Sequence, residues 1–130
     1  MANKFKLTIV TPDGKKIEDE ATILNAYTTA GFVGILANHL PMVAILEISH
    51  LNYKKDGESF DLAISGGILN VKKDEVIVLA ETFERKEEID KERANQAKLR
   101  AEERLLSKDP NIDMKRAELS LKRALSRLSL

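Results

Sequence analysis

The chain has 130 residues, no cysteine, and 21 Lys/Arg against 21 Asp/Glu, a net charge of zero. The missing cysteine excludes a disulfide framework, a thiolate-ligated metal and a thiol nucleophile. The balanced charge excludes a global drive toward nucleic acid or an acidic membrane.

The longest apolar run, Leu40 to Leu46, is far short of the ~20 residues that span a bilayer. Met1 to Lys6 is not followed by the apolar core of a signal peptide. The expectation is a soluble intracellular protein that is not membrane-spanning.

The first part reads as short strands. Phe5 to Val10 alternates, with Phe5, Leu7 and Ile9 on one face. Thr11-Pro12-Asp13-Gly14 is a turn. A strand starts at Ile17, and another runs from Ala21 to Thr29. Gly31 to Gly34 reads as a loop or tight bend before Ile35-Leu36, and Asn38-His39-Leu40-Pro41 as an irregular link. Met42 to Leu46 and Ser49 to Lys54 read as two strands. Asp56-Gly57 marks a hairpin before Phe60 to Ser65. Gly66-Gly67 permits a bulge or sharp corner. Ile68 to Val71 and Val76 to Ala80 complete the set. No helix-length pattern separates these strands, which favours an antiparallel sandwich or flattened barrel over a parallel α/β sheet.

The composition then changes. All six Gly, four Phe and two Tyr fall at or before Phe83. Residues 1–84 hold 8 Lys/Arg and 12 Asp/Glu, a net of −4, whereas residues 85–130 hold 13 and 9, a net of +4. Glu87 to Leu106 carries Ala94, Ala97, Ala101 and Leu105 on one stripe. Asp113 to Leu128 carries Met114, Ala117, Leu121, Ala124, Leu125 and Leu128 on another. Asp113 is a candidate N-cap, and the short link around Pro110 makes the helices antiparallel neighbours. The fold class is therefore α+β: a β-sandwich over 1–84 and a helical hairpin over 85–130. The alanine-rich seam buries little apolar area, so the hairpin must dock on something.

Residues for catalysis are scarce. Only His39 and His50 are present, each read as structural, and no phosphate loop, GxSxG elbow or HExxH motif exists. No catalytic and no metal site is expected. The arginines carry more information. Asp90, Arg93 and Arg100 share a face of the first helix at helical spacing. A pivot near Asp109–Pro110 pairs positions whose numbers sum to about 219, which sets Arg93 between Arg123 and Arg127. Clustered guanidiniums repel unless an anion or acidic group sits among them. A phosphate-bearing ligand, an acidic protein partner, or local pairing with Glu92 and Glu118 each satisfies that requirement.

Val10-Thr11-Pro12-Asp13, Gly34-Ile35-Leu36 with His39-Leu40-Pro41, Ser65-Gly66-Gly67 and Glu84 with Ile89-Asp90-Lys91-Glu92-Arg93-Ala94 together resemble the epsilon subunit of bacterial F-type ATP synthase, in bacillus-like form. The resemblance covers nearly the whole chain. It implies a non-catalytic subunit, peripheral on the cytoplasmic face of the cell membrane. The sandwich would bind the gamma subunit and touch the c-ring, with Phe32 and His39 in the matching contact segment. The hairpin would lie on the sandwich or extend toward the alpha and beta subunits and inhibit ATP hydrolysis. It also implies ATP as a regulatory ligand rather than a cofactor, bound by Glu84, Ile89, Asp90, Arg93, Ala94, Arg100, Arg123 and Arg127. Two departures stand out. Phe32 replaces the usual Glu, which leaves an apolar contact or burial in the sandwich open. Ala37-Asn38 replaces the usual Pro-Gly. A nucleotide-sensing module unrelated to the synthase and an enzyme with an undetected site are the competing readings.

Overall fold

The computed structural model describes residues 3–130. Met1 and Ala2, the start of the segment read for a signal peptide, lie outside the described residues. Eight strands precede two helices: β1 (Phe5–Val10), β2 (Lys16–Ala21), β3 (Ile23–Thr28), β4 (Gly31–Leu36), β5 (Met42–Lys55), β6 (Glu58–Val71), β7 (Glu75–Ala80) and β8 (Phe83–Arg85), then α1 (Lys91–Leu106) and α2 (Met114–Leu128). The fold is a β-sandwich followed by an antiparallel helical hairpin.

The strand order is β2-β1-β7-β6-β5-β3-β4, with β8 added on β6. β5 and β6 make the two layers out of one sheet. Their Met42–Leu46 and Gly67–Val71 ends pair with each other beside β7, while their Ser49–Lys55 and Glu58–Ser65 ends pair beside β3 and β8. Each therefore passes from one layer to the other, where two shorter strands were expected. Between the layers lie Leu7, Ile9, Leu24, Ile35, Leu51, Leu62, Leu69 and Val78, all fully buried. The alternation read in Phe5–Val10 is this inward face.

Two local expectations are corrected and a third is narrowed. Gly31–Gly34 is not a loop but the start of β4, in continuous register with β3. The turn is instead Thr29–Ala30, held by a bond from Thr28 Oγ1 to the Gly31 carbonyl at 2.8 Å. At Gly66-Gly67 the structure has the sharp corner rather than the bulge, because the β5–β6 register continues unbroken from Leu46↔Gly67 to Ile48↔Ser65. The pair marks the layer change, and a Cβ on Gly67 would sit 2.1 Å from the Leu79 carbonyl oxygen. The sandwich is also not wholly antiparallel, since β1 and β7 pair in parallel.

At the junction a single 3₁₀ turn (Lys86–Glu88) follows β8, and Ile89 returns to extended backbone before α1. The predicted helix start at Glu87 is thus four residues early. Asp90 caps α1, its carboxylate accepting the Arg93 N–H at 3.1 Å. The expected Asp113 cap of α2 is present, accepting the Arg116 N–H at 3.0 Å. Buried Ala94, Ala101, Ala117 and Ala124 form the thin seam between the helices and the contact with the sheet. α2, through β5 and β6, supplies the main contact with the sandwich, and α1 packs on α2.

Candidate functional site

β8, the 3₁₀ turn and the two helices converge on a cavity of about 440 Å³ lined by Glu84, Glu88, Asp90, Arg93, Ala94, Ala97, Arg100 and Arg127. That volume lies within the ~300–1,000 Å³ range of small-ligand sites. Each side chain arrives there by a local cause. β8 delivers Glu84 because Phe83, its neighbour, is buried in the core. The cap delivers Asp90. Helical spacing delivers Arg93, Ala94, Ala97 and Arg100 from one flank of α1. Antiparallel pairing delivers Arg127 from the last turn of α2.

The acids are already engaged. Glu84 accepts from Arg127 Nε in a short ion pair between half-buried side chains. Glu88 accepts from Lys15 Nζ at 2.8 Å and from the Arg85 N–H at 3.2 Å. The Lys15 bond, chiefly, holds its carboxyl below the ordinary range. Lys15 also bonds the Phe83 carbonyl at 3.0 Å and lies 4.6 Å from the Phe83 ring centroid, tying the β1–β2 turn to the junction. Arg93 and Arg100 form no side-chain ion pair among the described residues. The cavity thus presents two uncommitted guanidiniums, a third bound to an exchangeable acid, carboxylate acceptors and an alanine floor. Guanidiniums of this kind bind phosphate oxygens in bidentate fashion.

The predicted site residues divide. Glu84, Asp90, Arg93, Ala94, Arg100 and Arg127 come together. Arg123 does not reach this cavity. It lies behind Arg127, in a narrow crevice against Ala63, Ile64 and Ser65 of β6. Ile89 is half-buried and does not line the cavity. Arg100, two turns along α1 from Arg93, lines the cavity with it, and Arg123 does not. Asp90, read as sharing a helix face with Arg93, meets it through the main chain as the cap of α1. Glu88 was missed, although its place three residues after Arg85 fits a cap geometry.

Phe32 and His39 lie elsewhere. Phe32 is 59% exposed on β4 and meets Tyr27 edge-on, with ring centroids 5.3 Å apart. Its burial in the sandwich is therefore excluded. His39 Nδ1 lies 2.7 Å from the Leu40 carbonyl in the β4–β5 link. Asn38 in that link has φ of 63°, a left-handed conformation that Asn tolerates better than most residues. A second sheet surface carries exposed Ile45, Ile68 and Leu79 directly opposite one another across β5, β6 and β7, with Val43 beside them.

A larger cleft of about 500 Å³ lies between β2 and β5–β6, lined by Lys16, Asp19, Tyr53, Phe60, Asp61 and Arg85 among others. Its central groups satisfy one another. Asp19 accepts from Lys55 at 2.6 Å and from Tyr53 Oη at 3.1 Å, closing the sandwich edge. Among the described residues, no group of three or more His, Asp or Glu is placed to hold a metal. Among the same residues, no helix is long and apolar enough to cross a membrane.

Residues 4–86 match the family described as ATP synthase, Delta/Epsilon chain, beta-sandwich domain, and residues 87–130 match its long alpha-helix domain. The chain belongs to the ATP synthase delta/epsilon family. It is 48% identical over 126 residues to the ATP synthase epsilon chain of Bacillus licheniformis, covering 97% of this chain and 96% of the relative. It is likewise 48% identical over 126 residues to that of Halalkalibacterium halodurans, covering 95% and 94%. Among solved structures it resembles a chain of the Euglena gracilis mitochondrial ATP synthase OSCP/F1/c-ring assembly. That likeness has a TM-score of 0.85 at 25% identity and covers 97% of this chain and 79% of the other. A chain of the Tetrahymena thermophila central stalk and c-ring shares the fold at a TM-score of 0.57 and 16% identity.

Proposed function

We propose that this chain is the epsilon subunit of an F-type ATP synthase, a non-catalytic regulator whose helical hairpin senses ATP. The observation that carries the reading is the cavity between α1, α2 and β8. Its arginines come from both helices, and Glu84, the partner of Arg127, comes from the sandwich, so it exists only while the hairpin is closed. A ligand shifts an equilibrium only through its differential affinity for the two states. ATP bound to Arg93, Arg100 and Arg127 therefore favours the closed form, with Arg123 behind Arg127 in support. At a free ATP concentration of 100 Kd that bias is about 2.7 kcal/mol. Without ATP the closed form loses that bias, and the hairpin more often opens, extends along gamma toward the alpha and beta subunits, and inhibits hydrolysis. ATP acts as a ligand and is not turned over.

The sandwich supplies the assembly surfaces. The aligned Ile45, Ile68 and Leu79 form an exposed apolar patch of the kind that marks a protein interface, and we assign it to gamma. Phe32 and the His39 link, at β4 and its following turn, are assigned to the c-ring, with apolar contact in place of the family's usual carboxylate. The chain would then sit peripherally at the cytoplasmic face of the membrane. Ile68→Glu is expected to abolish capture by gamma while leaving ATP binding intact. Capture at the parent's level removes the assignment of that face.

The regulatory claim is tested in the reconstituted complex. A chain lacking residues 88–130 should still assemble and should relieve inhibition of ATP hydrolysis at low ATP. Unchanged inhibition with the shortened chain would overturn it.

A further inference from the structure

The last turn of an α-helix leaves carbonyl groups without intrahelical partners. In α2 two of them are met by the following backbone: Ser129 N–H bonds the Leu125 carbonyl at 3.1 Å and Leu130 N–H the Arg127 carbonyl at 3.3 Å. The rest are met from other elements. His50 Nε2, on β5, lies 2.5 Å from the Ser126 carbonyl oxygen. Lys91 Nζ, at the start of α1, donates to the Arg127 carbonyl at 3.1 Å and the Leu128 carbonyl at 2.9 Å. Ser129 Oγ closes the group, donating to the Ser126 carbonyl at 2.9 Å and lying 2.7 Å from His50 Nε2. A carbonyl only accepts, so the hydrogen-bond pattern assigns the proton to His50 Nε2.

Lys91 is in the wrong place for its own helix. A cation in the first turn opposes the positive end of the helix dipole, whereas the last turn of a helix attracts it. The position makes sense through α2: the ammonium reaches the negative end of the antiparallel neighbour. A side chain that breaks a local rule in favour of a distant contact points to a role in that contact.

We propose that His50 and Lys91 form a clasp on the C-terminus of α2 that positions Arg127 for the cavity before any nucleotide arrives. The proposal rests on the reading that the hairpin opens reversibly. Opening carries the Ser126–Leu128 carbonyls away from both donors, so the clasp biases the same equilibrium as the ligand without touching it. His50 and Lys91 are positioning residues. Lys91 is exposed and His50 half-buried, so each bond is of ordinary, water-competed strength. Loss of either donor should then raise opening on the order of threefold to tenfold.

The test is hydrogen exchange of the Ala124–Leu128 amides in the full chain without nucleotide. Lys91→Met and His50→Ala should each speed exchange threefold to tenfold and leave the β6 and β7 amides unchanged. Lys91→Arg and His50→Gln, which keep a donor, should restore most of the protection. Because Lys91 is exposed, Lys91→Met decides the matter even where His50→Ala disturbs β5. Parental exchange in Lys91→Met, or no recovery in the donor-keeping variants, overturns the clasp. The two readings fail separately. If the parent binds no ATP but the exchange rates respond, the clasp stands and the nucleotide site falls. If ATP binds and the exchange rates do not respond, the reverse holds.

Discussion

Ser126 sits in the contact between α2 and the sandwich with its hydroxyl buried and without a hydrogen-bond partner. In an undocked α2 that hydroxyl is hydrated. Docking strips its water and returns nothing, a penalty of about 1–3 kcal/mol. Ser126→Ala removes the penalty while leaving the backbone carbonyl that His50 grips. Alanine is also the better helix former, and because the last turn of α2 frays when undocked, that difference of a few tenths of a kcal/mol acts in the same direction. The substitution should therefore shift docking toward the closed form by about 1–3 kcal/mol, a factor of about 5 to 150. Hydrogen exchange at Ala124–Leu128 should slow by that factor. In the reconstituted complex, inhibition of hydrolysis at low ATP should weaken. Exchange that is unchanged or faster would show that the hydroxyl contributes to docking, and would refute the view that this interface is held marginal by an unsatisfied group.

Three further predictions concern the sandwich. Gly67→Ala places a Cβ 2.1 Å from the Leu79 carbonyl oxygen and 2.9 Å from Ala80 Cα, both main chain, so it should cost at least about 3 kcal/mol in denaturant unfolding. Gly14→Ala, at φ of 93° with nothing within 4 Å, should cost only about 1–2 kcal/mol of backbone strain; equal losses would contradict the close-approach argument. Burial first, and then the Asp19 carboxylate, push the Tyr53 phenol up to about 12 from 10.0. A raised folded-state value means that its contribution is complete below pH 10 and is lost as pH rises through about 12. Tyr53→Phe should flatten the fall in stability over that interval, and an identical alkaline profile would remove Tyr53 from the account. Burial raises the Asp19 carboxyl, but bonds from Lys55, the Glu20 N–H and Tyr53 outweigh it and leave the carboxyl below its ordinary 3.8. That contribution is present above pH 3.8 and is lost as pH falls below it, so Lys55→Met should flatten the acid limb of the same profile.

The parts of the fold that were legible are those that local chemistry encodes. Alternation placed Phe5, Leu7 and Ile9 inward, Asp56-Gly57 forms a turn with both residues at positive φ, and Asp113 caps α2. The errors arise where distant partners decide. Glu47 and the Ser65–Gly67 stretch interrupt the apolar pattern, so β5 and β6 each read as two strands; only the layers on either side make them continuous. β8 is three residues long, and its pairing with β6 makes it a strand. Within the site, the chain's own spacing put Arg93 and Arg127 on facing helices, and Lys91 meeting Arg127 and Leu128 agrees with the pivot near Pro110. Whether Arg123 enters the cavity depends on how α2 is rotated against β5 and β6. That rotation is set by the burial of Ala117, Ala124 and Ser126, which helical periodicity leaves undecided. His50 carried no sequence signal at all, since its partner is a main-chain carbonyl 76 positions away.

The central claim is that the closed hairpin completes an ATP site. Calorimetric titration of the full chain with ATP tests it most directly. The account predicts saturable one-site binding without turnover, weakened at least about tenfold in Arg93→Ala and in Arg127→Ala, since each removes charge-assisted bonds of about 1.5–3 kcal/mol. A parent chain that takes up no ATP, or two variants that bind it as the parent does, would contradict it.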